Sequence, residues 1–362
     1  MIKCRMARRW RARLAAAALA ASLVGASPSF APAVAAAEAP AKASRARVAP
    51  IGKYAVGVQT RTFVDSTRPT DANGNDAAAV PTRTLKTTIY YPAAGPPTEA
   101  PTENAPADAK HGRYPLVLFS HGIYATGNAY QDVLKTWVSA GYMVAAPNYP
   151  LSSADAPGGV SFGRGVADAK NQPADASFVI NQVIKDKQLG EIIDPKRIGA
   201  SGHSLGGITT YGLVYSACCR DKRVKAAVPM SGFGGLVEPI DQYFRDGPTP
   251  LLALHGNSDG TVPIASDINT FARAQPPKYF LTFSGAGHVV PFLGGNGAQA
   301  MVLKKSTVDF WDRYLKGDKA GLDKLRTDGN LAGSTTLEEQ TGGGTSAAGT
   351  PASTAAGSGP SG

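Results

Sequence analysis

The stretch Arg197-Ile-Gly-Ala-Ser-Gly-His-Ser-Leu-Gly-Gly207 decides how this chain is read. It opens as a short apolar strand, Arg197 to Ser201, and passes through Gly202-His203-Ser204-Leu205-Gly206. Behind it Gly206-Gly-Ile-Thr-Thr-Tyr-Gly-Leu-Val-Tyr215 reads as the start of a helix. A G-x-S-x-G sequence between strand and helix marks a sharp, strained turn that exposes a serine hydroxyl. Glycine on both sides lets neighbouring backbone approach closely. The helix N-terminus favours negative charge that develops there. The pattern alone is weak, because the chain holds it three times. Ser161, in Gly159–Gly163, follows a loop-like stretch with no strand before it. Ser258, in Gly256–Gly260, follows a strand, but Thr261-Val262-Pro263 comes next and no helix starts directly behind the serine. Ser204 alone has both neighbours and is the candidate nucleophile.

A serine hydroxyl needs a base. The histidines are His111, His121, His203, His255 and His288. With a nucleophile on this kind of turn, the acid and then the histidine follow the serine along the chain. Asp259 sits in the loop directly after the apolar strand Leu251–Leu254 and is the candidate acid. His288, in Ser284-Gly-Ala-Gly-His-Val-Val-Pro291, is then the histidine beyond it, on a glycine-rich loop after another strand. The plainer alternative for His288 is an idle surface-loop residue. His203 and His255 are expected to hydrogen-bond or pack beside the turn. Among other carboxylates, Asp221 lies between Arg220 and Lys222-Arg223 and reads as part of a solvated charged turn. An imidazole base makes activity rise as pH climbs through about 6–7.

Acyl transfer also needs two N–H donors for the oxyanion. One is Leu205, the residue after the nucleophile. The other comes from Phe119-Ser-His-Gly-Ile-Tyr124, the turn after the first long buried strand. Ile123 is the first choice and Tyr124 the second. The Tyr124 side chain is a candidate wall of the acyl site, or plain packing. Phe233, in the short segment Met230–Thr249, is a candidate rim residue with Leu236, Val237, Tyr243 and Phe244; Tyr149–Arg164 is a second rim candidate.

Outward from these motifs the chain alternates strand-like and helix-like stretches. Tyr54–Val64 and Leu85–Tyr91 alternate apolar and polar residues around a turn-rich segment and predict an antiparallel pair. Pro115–Phe119, Met143–Ala146, Arg197–Ser201, Val224–Pro229, Pro250–Leu254 and Lys278–Phe283 are short apolar runs, as parallel strands buried on both faces require. Helices are predicted over Ala129–Ala140, Pro173–Gln188 and Gln299–Leu315. The expected class is α/β, a mostly parallel sheet with antiparallel N-terminal strands and helices on both faces.

The 362 residues carry a net charge of +10, from 37 Lys and Arg against 27 Asp and Glu. Six of the basic residues, and no acidic one, fall in residues 1–37. Without them the balance is 31 to 27, so the basic excess does not mark a folded nucleic-acid-binding surface. Met1–Arg13 is basic, Leu14–Val24 is apolar, and Ala33-Val-Ala35 or Ala35-Ala-Ala37 fits a small-residue cleavage site. The expectation is a signal peptide over 1–37, a linker over 38–50, a catalytic domain over 51–325 and a flexible Gly/Ser/Thr/Ala-rich tail over 333–362. The apolar run is too short to span a bilayer, so a secreted protein without stable membrane insertion is expected. Cys218 and Cys219 are adjacent and read as unpaired thiols; C-x-x-C or Cys/His metal spacing is absent.

At Leu85–Pro92, Phe119–Gly122, Gly141–Pro147, Arg197–Gly207 and His255–Asp259 the chain resembles the α/β-hydrolases. It is most similar to bacterial proteins of the predicted dienelactone hydrolase type, akin to platelet-activating-factor acetylhydrolases and polyester (cutinase-like) hydrolases. The resemblance implies Ser204, Asp259 and His288 as triad, Ile123 and Leu205 as oxyanion donors, and no cofactor or metal. Dienelactone hydrolases proper use a cysteine nucleophile, so Ser204 argues for ordinary ester chemistry. The expected substrate is a small-molecule or polymeric ester of short to medium acyl length, acted on by a monomer. An acyltransferase, a peptidase or an inactive secreted binding protein are the alternatives.

Overall fold

The computed structural model describes residues 52–74 and 77–342. The signal-peptide and linker readings lie outside the described residues. Ten strands form one sheet in the order β10-β9-β8-β7-β6-β4-β5-β2-β1-β3. They are β1 (Ala55–Asp65), β2 (Arg83–Ala93), β3 (Thr102–Glu103), β4 (Tyr114–Ser120), β5 (Met143–Pro147), β6 (Ile193–His203), β7 (Val224–Met230), β8 (Leu251–Gly256), β9 (Lys278–Phe283) and β10 (Thr335–Gln340). Strands β4 to β9 pair in parallel. β1 pairs antiparallel with β2, Ala55 opposite Ala93, and β2 pairs antiparallel with β5. The expected class and all eight expected strands are present.

Side chains alternate between two cores, as period-2 strands covered on both faces must. Leu116 and Leu118 of β4 face one core, and Val117 and Phe119 face the other. The first core is covered by α3 (Gln172–Ile184), α4 (Leu205–Tyr215) and α5 (Ile264–Arg273), through residues such as Val179, Leu213 and Phe271. The second is covered by α1 (Gln131–Ser139) and α6 (Ala298–Trp311), where Trp137 and Trp311 meet edge to face. All eleven residues of α4 are buried, so this helix is apolar all round rather than amphipathic. Among the described residues no helix is long and apolar enough to cross a membrane.

A buried ionic network sets the start of α3. Arg83 opens β2, is 1% exposed, and grips both Asp168 (2.8 Å) and Asp175 (2.5 Å). Arg68 adds a second cation on Asp175 at 2.7 Å. Between those carboxylates Gln172 donates to Ser152 Oγ (3.0 Å) and accepts from Thr209 Oγ1 (2.5 Å) on α4. The network therefore pins residues 168–175 against both β2 and α4.

The structure corrects three expectations. The domain does not stop near residue 325, and residues 335–340 are not tail: α7 (Gly321–Asp328) is followed by β10, antiparallel to β9 with Leu337 opposite Leu281. Main-chain pairing holds that edge strand, and it needs few apolar side chains. Residues 343–362 lie outside the described residues. Cys218 and Cys219 are joined in a disulfide rather than left as thiols. Asp221 is buried, not solvated, and accepts from Ser177 Oγ (2.7 Å) and Arg223 (2.5 Å).

Candidate active site

Ser204 sits between the end of β6 and the first turn of α4 with φ 58°, ψ −120°. That is left-handed backbone, costly for a non-glycine residue and held here by its surroundings. Its N–H donates to the Met230 carbonyl of β7 (2.9 Å), and its carbonyl accepts from Ile208 N–H (3.0 Å). The flanking glycines are required by space. A Cβ on Gly206 would lie 2.0 Å from the Ser120 carbonyl oxygen, and one on Gly202 would lie 2.3 Å from that of Gly206. The strand-to-helix packing that makes the turn leaves no room for a methyl group.

Ser204 Oγ donates to His288 Nε2 at 2.8 Å, and His288 Nδ1–H donates to Asp259 Oδ2 at 2.7 Å. The other Asp259 oxygen accepts the N–H groups of Thr261 (2.9 Å) and Val262 (2.8 Å). Burial pushes the Asp259 carboxyl up, but bonds from His288 and the two backbone donors outweigh it and hold it below the usual carboxylate range. Asp259 is therefore an anion at neutral pH. The three residues come from loops after β6, β8 and β9, at the carboxyl end of the sheet. The other two G-x-S-x-G serines are elsewhere: Ser161 is exposed before α2 (Phe162–Ala167), and Ser258 is exposed in the turn after β8.

The turn after β4 lies against the serine; a Cβ on Gly122 would be 3.3 Å from Ser204 Cβ. Tyr149 N–H donates to His121 Nε2 (3.1 Å), so the protonated nitrogen is Nδ1, which donates to the Gly122 carbonyl (2.8 Å). Ala125 N–H donates to the same carbonyl at 3.1 Å. The Ile123 N–H belongs to that peptide and points the opposite way. Gly122 N–H is spent on Tyr130 Oη (3.1 Å) and Tyr124 N–H on the Ser152 carbonyl (2.9 Å). Among the described residues Ile123 N–H has no internal acceptor, which removes Tyr124 as the second choice. Leu205 N–H, in the first turn of α4, likewise has none.

Ile123 and Phe233, half-buried with Val237, pack on Ala169, Leu205 and Ile208 beside the serine. Tyr124 is 54% exposed, its side chain mostly in solvent rather than in that cluster. His255 stands beside the serine's hydrogen-bond chain, its Nε2 3.4 Å from the Asp259 oxygen that His288 bonds. Its Nδ1 pairs with Asp267 (2.8 Å) and its Nε2 with the Val262 carbonyl (2.9 Å), and Asp267 also accepts from Tyr211 of α4 (2.6 Å). His255 thus ties β8 to α5, α4 and the loop carrying Asp259. Sequence reasoning missed Tyr130, whose hydroxyl joins the Gly122 turn to His203 (2.9 Å). A tyrosine ahead of an amphipathic helix carries no signal of that role.

A family model described as Chlorophyllase matches residues 94–240. The match spans Ser204 and the Gly122 turn and ends before Asp259 and His288. Lipase 1 of Moraxella sp. (strain TA144) is 25% identical over 152 residues, 42% of this chain and 44% of that protein. Dipeptidyl-peptidase 5 of Aspergillus fumigatus is 25% identical over 253 residues, 58% of this chain and 33% of that one. The chain thus spans less than half the length of each of these relatives. Among solved structures, a ferulic acid esterase from Streptomyces cinnamoneus superposes with a TM-score of 0.59 at 19% identity, covering 81% of this chain and 98% of that one. That likeness is one of fold. These matches do not bear on the dienelactone, platelet-activating-factor or cutinase-like branches.

Proposed function

We propose that this α/β-hydrolase, similar in sequence to a lipase and in fold to an esterase, cleaves carboxylic esters through an acyl-enzyme on Ser204. The observation that carries the reading is the hydrogen-bonded chain from Ser204 through His288 to Asp259, on a turn strained to φ 58°. His288 takes the serine proton as Oγ attacks the ester carbonyl, and Asp259 holds the imidazole tautomer and stabilises the imidazolium. The N–H groups of Leu205 and Ile123 receive the oxyanion. The alcohol leaves with the proton from His288, and water then releases the acid by the same steps. The half-buried cluster of Ile123, Phe233 and Val237 suits a short or medium acyl chain. Val289 and Val290, 47% and 69% exposed beyond His288, leave the rim apolar and open, which also suits a polymeric ester. Export is proposed on the basic and apolar N-terminal stretch, and N-terminal sequencing of the mature protein tests it.

The test is hydrolysis of p-nitrophenyl esters over a range of acyl lengths, with Ser204→Ala as control. Turnover that falls to background in the variant and declines for long acyl chains is expected. Undiminished turnover in Ser204→Ala removes the serine from the chemistry, and a folded wild type with no turnover removes the esterase reading. The match to a dipeptidyl-peptidase favours peptide hydrolysis as the second reading; a dipeptidyl p-nitroanilide cleaved faster than any ester would establish it.

A further inference from the structure

His203 directly precedes Ser204, is buried, and its ring lies 4.9 Å from the ring of His288. Its Nε2 lies 2.7 Å from the main-chain carbonyl of His288. A carbonyl can only accept, so Nε2 carries the proton. In the neutral ring Nδ1 is then an acceptor, and it faces Tyr130 Oη at 2.9 Å. Tyr130 therefore gives its proton to His203 and accepts the Gly122 N–H with its own oxygen. Burial keeps both groups in the required form: it pushes the His203 imidazole down to about 3 and the Tyr130 phenol well up. The result is a one-way chain, Gly122 N–H to Tyr130 O–H to His203 Nε2–H to the His288 carbonyl.

The two ends of this chain are the turn that carries Ile123 and the loop that carries His288. Among the described residues no main-chain group bonds the His288 peptide; the His203 N–H takes its carbonyl. His203 also stacks on Phe292, four residues further along the same loop, at 5.2 Å and 25°. We propose that Tyr130 and His203 are positioning residues that set the oxyanion turn and the loop of the base in register with each other. The proposal rests on the esterase reading above. Misplacement of either end lowers the rate of acyl transfer while leaving substrate binding largely intact, because the bridge touches neither acyl nor alcohol group.

The test uses kcat and KM for p-nitrophenyl butyrate on the full chain. Tyr130→Phe leaves Gly122 N–H and His203 Nδ1 without a partner. It is expected to lower kcat about tenfold with KM within about twofold. His203→Gln keeps a donor near the Nε2 position and His203→Asn does not, so Gln should retain several-fold more kcat than Asn. A merely structural role would lower thermal stability in both without ranking kcat in that order. Wild-type kcat in Tyr130→Phe, or equal kcat in the two His203 variants, overturns the proposal. If Tyr130→Phe fails to fold, the Gln-against-Asn ranking decides alone. Ser204→Ala in the same assay separates the two failures: if it is inactive while the bridge variants are at wild-type rates, only the bridge is wrong.

Discussion

Replacing Asp259 by Asn tests the core of the site, and the structure dictates how it should fail. One carboxylate oxygen accepts two backbone N–H groups, from Thr261 and Val262, at 2.9 and 2.8 Å. An amide in that place keeps its oxygen there, because the flipped rotamer would set an NH2 against two donors. The NH2 then occupies the position 2.7 Å from His288 Nδ1. Nδ1 must accept, so the imidazole proton moves to Nε2, which faces Ser204 Oγ at 2.8 Å. A nitrogen that already bears a proton cannot take the serine's. Loss of the correct tautomer and of the anion costs about 10⁴ in kcat for such a triad, or about 5.5 kcal/mol at about 1.4 kcal/mol per decade. The assay is p-nitrophenyl butyrate hydrolysis at pH 8, with near-UV circular dichroism to show that the variant is folded. A folded Asp259→Asn enzyme within about tenfold of wild type would refute the tautomer argument.

Three further outcomes are expected. Arg83→Met leaves Asp168 and Asp175 buried without that partner; it should cost about 3–5 kcal/mol and lower Tm by about 10 °C, and an unchanged melting curve would mean that Arg68 alone suffices. Gly206→Ala puts a methyl on the Ser120 carbonyl and should give no soluble active enzyme, whereas Gly163→Ala, with nothing within 4 Å, should be tolerated; equal soluble yields would contradict the packing argument. Burial, helped by Asp328, pushes the Asp309 carboxyl up to about 7, so the fold holds a proton there that the unfolded chain releases above about pH 4. That contribution to stability is present in acid and lost as pH rises towards 7. Asp309→Asn removes it, and unfolding free energy from urea titrations should then fall more steeply with acid, by about 1.4 kcal/mol per pH unit between about pH 4.5 and 6. Parallel wild-type and variant curves would show that Asp309 is ionised in the fold.

Acid should also weaken the fold through His121 and His203. Burial is the largest influence on each and pushes them down to about 4 and about 3. Both stay neutral in the structure while the unfolded chain protonates them below about pH 6.5. Each serves as donor and acceptor at once, one clamping the Gly122 carbonyl and the other the His288 carbonyl. Protonation would set the His121 Nε2–H against the Tyr149 N–H and leave the Tyr130 hydroxyl proton without His203 Nδ1 as its acceptor.

Much of the fold was legible because burial on both faces of a parallel sheet demands uninterrupted apolar runs, and β4 to β9 show them. The strand-to-helix context of Ser204 separated it from Ser161 and Ser258, since only packing against a following helix makes the turn. The elements that escaped notice carry no such pattern. β10 is held by main-chain bonds and has Leu337 as its one large apolar residue. α5 hides behind Thr261-Val262-Pro263, although Phe271 buries its inner face. Asp221 was misread because a run of neighbouring charges looks alike whether solvated or folded inward; Ser177, distant in sequence, makes the difference.

From the chain of residues alone came the class of fold, the elbow serine, and the order in which acid and histidine follow it. Those depend on local pattern: apolar runs, glycine spacing and the loop that ends each strand. Which N–H of the Gly122 turn lacks an internal acceptor, which nitrogen of His121, His203 and His288 carries its proton, and how Tyr130 and His203 join two distant loops are visible only in three dimensions. A hydrogen bond between groups 73 or 85 residues apart leaves no trace in sequence spacing, because its geometry exists only after the strands have brought both ends to the carboxyl end of the sheet.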